Sequence, residues 1–88
     1  MTAPVLTMYM KAECHLCEAA RADLARLAAR LPHTLELVDI TTDAELMRRY
    51  GERIPVVCVG GREYDAPLAP ALLERALVQA SHQAGGPR

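Results

Sequence analysis

Two cysteines three positions apart, in Cys14-His15-Leu16-Cys17, stand where an apolar strand pattern gives way to an amphipathic helical one. This junction constrains the fold more than any other stretch, because it requires a strand, a short loop and a helix in immediate succession. Val5 to Met10 is apolar with Thr7 interposed and reads as a buried strand. Lys11-Ala12-Glu13 is the loop, and the helix is expected to run from near Cys14 to about Leu31, where Pro32 stops it.

A helix beginning near Cys14 puts the two Cα atoms about 5 Å apart, within the span of a disulfide. The pair can then open and close without refolding. A cysteine at a helix start faces unpaired backbone N–H groups and the positive end of the helix dipole, and both favour thiolate, the attacking form. The two sulfurs are not expected to be equivalent. Cys17, Ala20, Leu24, Leu27 and Leu31 recur at helical spacing and form the core-facing stripe, whereas Cys14 precedes it. Cys14 is the expected nucleophile, and Cys17 the shielded thiol that resolves a mixed disulfide from the same turn.

Downstream, Leu35 to Ile40 reads as a second strand, and Thr42 with Glu45 three residues later is a capping-box pattern for a short helix ending at Gly51. Ile54 to Val59 is a third strand with a proline near its start. Gly60-Gly61 is a favoured two-residue hairpin turn into Arg62-Glu63-Tyr64. After Pro67 and Pro70, the residues Leu72, Leu73, Ala76, Leu77 and Ala80 give a last amphipathic helix. The order βαβαββα predicts an α/β domain, a four-stranded mixed sheet flanked by helices. With 88 residues there is room for one such domain, at 1–83, with 84–88 as a disordered tail.

Neither Phe nor Trp occurs, so the core must be built from Leu, Val, Ala and Met with Tyr9, Tyr50 and Tyr64. No aromatic platform is available for stacking bases. The formal net charge is −1 and the arginines are scattered among acids, which argues against nucleic acid or a membrane surface as partner. The start lacks the basic region and long apolar run of a secretory signal, and a cytoplasmic protein is expected. In a reducing compartment a close cysteine pair is catalytic or metal-binding rather than a structural staple.

The metal alternative takes Cys14, His15 and Cys17 as ligands of a module that holds or passes on a metal or iron–sulfur cluster. A structural zinc site takes four ligands, and His33 and His82 show no supporting spacing. Sharing between two chains leaves this alternative open. Cys58, inside Val56-Val57-Cys58-Val59, reads as an inert core residue.

Two separated motifs carry a resemblance. Tyr9-Met10-Lys11-Ala12-Glu13-Cys14-His15-Leu16-Cys17 resembles the glutaredoxin segment in which a Tyr-x-Lys loop precedes CxxC, and Arg53-Ile54-Pro55-Val56 resembles the segment whose proline is cis beside the active thiols. The chain is thus similar, over nearly its whole length, to the glutaredoxin-like branch of the thioredoxin fold. The resemblance implies Cys14 as nucleophile, Cys17 as resolving thiol, Lys11 as partner of the thiolate or of a glutathione carboxylate, and Ile54-Pro55 as a backbone dock for substrate.

It also implies a thiol-disulfide oxidoreductase that reduces protein disulfides or glutathione mixed disulfides. Such an enzyme needs no bound cofactor; glutathione or a thioredoxin-type system returns the electrons, and a monomer is expected. The chain departs from the glutaredoxin pattern at His15, where proline is usual, and at Glu13. Protonated His15 would stabilise a Cys14 thiolate and the Glu13 carboxylate would oppose it. Where glutaredoxins carry a Gly-Gly pair and acids for the γ-glutamyl end of glutathione, this chain reads Tyr64-Asp65-Ala66-Pro67. An acid and a proline there remove free N–H groups that a carboxylate needs.

Overall fold

A computed structural model describes residues 3–85. Along the chain run β1 (Val5–Met10), α1 (His15–Leu27), β2 (Thr34–Asp39), a 3-10 turn (Ile40–Thr42), α2 (Ala44–Tyr50), β3 (Val56–Val59), β4 (Arg62–Asp65) and α3 (Pro70–Gly85). The four strands form one sheet in the order β2-β1-β3-β4. Because α1 carries the chain back across the sheet, β2 pairs parallel to β1, from Val5 opposite Thr34 to Met10 opposite Asp39. β3 returns antiparallel to β1, with Met8 opposite Val57, and a tight turn folds β4 antiparallel onto β3. Gly60 and Gly61 both have positive φ, 60° and 76°, as a primed hairpin turn requires.

Strand alternation splits the core in two. Leu6 and Met8 of β1 and Val57 and Val59 of β3 pack with Ala20, Leu24 and Leu27 of α1 and with Leu73, Ala76, Leu77 and Ala80 of α3. On the other face Val56 packs with Ile40 and Tyr50, and Tyr9, Leu46 and Ile54 close around them. All three tyrosines thus contribute to the core, as the lack of Phe and Trp demands. Leu24 is wholly buried, and truncating such a leucine to alanine costs about 2–5 kcal/mol.

The local expectations hold in kind and shift at the ends. α1 stops at Leu27 rather than about Leu31, and the chain leaves through turns in which the N–H groups of Arg30 and Leu31 reach the Leu27 carbonyl at 3.0 and 2.8 Å. Pro32 disfavours helical geometry in the residue before it, which unravels the last turn early. β2 begins one residue sooner than expected, at Thr34, and ends one sooner, at Asp39, since Ile40 enters the 3-10 turn. β3 begins at Val56 because Pro55 has no N–H and the Ile54 N–H is bonded to the Tyr50 carbonyl at 3.1 Å.

Thr42 is not the cap of α2. Asp43 is, accepting from the N–H groups of Glu45 and Leu46 at 2.8 and 3.3 Å. The Thr42 hydroxyl instead donates to the Asp39 carbonyl at 3.1 Å, closing the 3-10 turn. Gly51 ends α2 with right-handed geometry, φ −52°; a Cβ there would lie 2.5 Å from the Met47 carbonyl oxygen. Of the tail expected at 84–88, α3 covers the first two positions and 86–88 lie outside the described residues.

Candidate active site

β1 delivers the chain through Lys11-Ala12-Glu13 to the start of α1, and the turn there is closed by Glu13 at φ 61°. Among the described residues it alone, apart from glycine, has positive φ. Cys14 follows as the N-cap, in extended geometry, with its carbonyl accepting from the Glu18 N–H at 3.0 Å. Its sulfur occupies the place of a capping serine or aspartate oxygen and accepts from the Cys17 N–H at 3.2 Å. One orphan donor of the helix is satisfied by a sulfur, an arrangement that stabilises negative charge on that atom.

Cys17 lies one turn on, at disulfide distance, with the two Cα atoms 5.2 Å apart. Only 1% of Cys17 is exposed, whereas Cys14 is partly exposed. Burial of the core stripe imposes this asymmetry, since Cys17 shares its face with Ala20 and Leu24.

Lys11 and His15 are both exposed, on the loop before the pair and at the first position of α1. Neither makes a hydrogen bond or ion pair to another described side chain. Pro55 is buried, and its peptide bond to Ile54 is cis, as is Ala66-Pro67. Pro55 meets α1 in a groove of about 180 Å³ whose walls are Leu16, Ala19 and Ala20 on one side and the 66–69 segment on the other. The structure thus brings Pro55 to the first turns of α1, while Ile54 packs the other way, toward Tyr50. The Ile54 N–H is engaged and Pro55 has none, so neither residue has an amide free to donate to a bound chain.

Sequence reasoning passed over Leu16. It is 59% exposed although aliphatic, and its place between the two cysteines was the one available signal. A larger cleft of about 450 Å³, past Arg21, Ala25 and His33, includes neither cysteine nor Pro55.

Arg53, adjacent to Ile54-Pro55, has its guanidinium held by β4: Nη2 lies 2.6 Å from Glu63 Oε1 and Nε lies 3.0 Å from Asp65 Oδ2. The hydrogen bond from Arg53 holds the Glu63 carboxyl below its ordinary range. Burial, and then a hydrogen bond to Glu63, pushes the Tyr50 phenol up. Tyr50 stacks on Tyr9 with ring centroids 4.3 Å apart, and Arg49 and Arg53 lie 5.7 and 5.5 Å from its centroid.

Cys58 faces this side of the sheet, opposite Thr7 and Glu63, and is partly exposed rather than buried in the core. The short α2 packs over Val56 and leaves Cys58 partly uncovered. Burial, and then the nearby Glu63 charge, raises its thiol pKa. Among the described residues no three His, Cys, Asp or Glu side chains converge as a metal-binding group, and no helix is long and apolar enough to cross a membrane.

A mixed sheet in the order β2-β1-β3-β4, with a cysteine pair opening the helix after the central parallel strand, defines a thioredoxin-fold protein with a redox-type dithiol. Thioredoxin O2 from Arabidopsis thaliana in its oxidised state has a similar fold, with a TM-score of 0.65 over 88% of this chain and 74% of that one at 21% identity. Residues 5–82 match the family described as Glutaredoxin-like domain (DUF836), and the chain belongs to that family. Similar proteins include the structural genomics target protein XcR50 from X. campestris, 39% identical with a TM-score of 0.73 over 85% of this chain and 97% of that one. An uncharacterised protein of Mycobacterium tuberculosis is 29% identical over 69 residues, 73% of this chain and 71% of that one.

Proposed function

We propose that this protein is a thiol-disulfide oxidoreductase in which Cys14 is the nucleophile and Cys17 the resolving thiol. The observation that carries the reading is the Cys14 sulfur at the N-terminus of α1, accepting the N–H of a buried Cys17 that lies at disulfide distance. The Cys14 thiolate attacks one sulfur of a substrate disulfide, that S–S bond breaks, and the departing thiolate takes a proton from water. Cys17 then gives up its proton and attacks the Cys14 sulfur. The Cys14–Cys17 disulfide closes and the second substrate thiol leaves. Two electrons have passed from the dithiol to the substrate, and an external thiol reductant, glutathione or a thioredoxin-type dithiol, returns them.

Lys11 serves as an exposed cation on the loop before the developing thiolate, His15 as its exposed neighbour on α1, and Ile54-Pro55 lines the path of the bound chain. The substrates are protein disulfides or glutathione mixed disulfides, handled by a monomer in the cytoplasm without a bound cofactor. The test is a redox titration of metal-free protein with alkylation of free thiols. A reversible Cys14–Cys17 couple between about −270 and −200 mV, the range of reducing exchange proteins, is expected. Failure of the pair to oxidise would overturn the reading and favour metal binding. Replacing Cys14 with serine abolishes turnover, and Cys17→Ser traps a mixed disulfide.

A further inference from the structure

We infer that the groove beside the dithiol selects peptide disulfides with an aliphatic residue next to the reacting cysteine and disfavours oxidised glutathione, with Leu16 as the specificity-determining residue. This rests on the exchange reading above. The groove joins three stretches of chain: Leu16 and Ala19 from α1, Pro55 from the loop before β3, and the 66–69 segment after β4. None of its lining side chains carries a charge. Leu16 stands between the two cysteines with 59% of its surface open, so a substrate sulfur bonded to Cys14 brings its neighbouring residues to this wall.

Size and charge point to the same occupant. About 180 Å³ lies below the roughly 300–1,000 Å³ of pockets that enclose whole small ligands, and suits one branched side chain. Burying such a side chain against Leu16 and Leu68 takes apolar surface out of water, which is favourable. Oxidised glutathione brings net negative charge and no apolar side chain. Arg53, the cation beside Ile54-Pro55, is already engaged by Glu63 and Asp65 at 2.6 and 3.0 Å. Pro67, in the segment facing Leu16, has no N–H to offer a carboxylate. Lys11 is not among the lining residues, so a carboxylate entering the groove would lose water without gaining a partner there.

The experiment uses the pre-reduced full chain and follows its oxidation by three disulfides: two cyclic peptides identical except for leucine or aspartate next to a cysteine, and oxidised glutathione. The expected result is a rate constant at least tenfold larger for the leucine peptide than for the aspartate peptide, with glutathione slower than the leucine peptide by a similar factor. In Leu16→Asp the leucine-to-aspartate ratio falls to about threefold or less, a ratio that is independent of how much of the variant is active. Equal rates for the two peptides, glutathione as the fastest oxidant, or an unchanged ratio in Leu16→Asp would overturn the inference while leaving the exchange reading in place. Failure of all three to oxidise the Cys14–Cys17 pair would overturn both.

Discussion

The backbone N–H of Cys17 donates to the sulfur of Cys14 at 3.2 Å, so the buried cysteine orients the exposed one through its main chain while its own side chain stays in the core. In the reduced protein the same donor favours charge on Cys14. Limited iodoacetamide labelling at neutral pH should therefore modify Cys14 first. A clear lead over Cys58 is expected, because thiolate character and exposure both favour Cys14. Because burial and then Glu63 raise the Cys58 thiol, its labelling should grow only as the pH becomes alkaline. Peptide mass locates the label, and modification of Cys17 or Cys58 ahead of Cys14 would reverse the assigned roles.

Glu13 holds a left-handed conformation, φ 61°, that costs an L-residue roughly 1–2 kcal/mol relative to glycine. Part of this is returned by the greater unfolded-state freedom of glycine. Glu13→Gly should raise stability by about 0.5–1 kcal/mol in urea unfolding, and a loss of stability would show that the side chain has a structural role.

The cap of α2 separates two neighbouring residues. Asp43→Ala should cost about 1 kcal/mol, the usual penalty for a lost N-cap. Thr42→Ala removes only the hydrogen bond to the Asp39 carbonyl and should cost less. The two denaturation midpoints decide it, and the opposite ranking would restore Thr42 as the cap.

Acid should weaken the tie between the hairpin and the loop before β3. The hydrogen bond from Arg53 lowers the Glu63 pKa, so the folded state binds a proton at Glu63 less readily than the unfolded one. The pair's contribution is present above the ordinary carboxylate range, about pH 4.3, and is lost as the pH falls through the lower folded-state value. Arg53→Met should therefore be less stable than the parent at pH 7, with the gap narrowing below about pH 4. A gap constant from pH 7 to pH 2 would mean that Arg53 acts by packing on Tyr50 rather than through Glu63.

Much of the fold was legible because its signals are local. The apolar run of β1, the stripe from Cys17 to Leu27, the Gly60-Gly61 turn and the proline at the first position of α3 each name their own element. What escaped depends on competition or on distant partners. Thr42 and Asp43 offer equivalent capping oxygens until Asp39 engages the threonine. The partial exposure of Cys58 follows from how far a seven-residue α2 reaches over the sheet. Gly51 was legible as the end of α2, but its closeness to the Met47 carbonyl, which leaves no room for a Cβ, shows only in the folded turn. At the site, the cysteine pair could be read directly, but the wall opposite Leu16 comes from a segment about fifty residues on.

That separation has a further consequence. The reacting atoms belong to the 14–17 turn, and the surface facing them across the groove belongs largely to the 66–69 stretch. On the proposed reading, chemistry and choice of partner therefore come from different parts of the chain. Under the proposed exchange reading, replacing a few residues after β4 should redirect the protein to a new client while the Cys14–Cys17 pair is left intact, so one scaffold could diversify its clientele without reinventing its reaction.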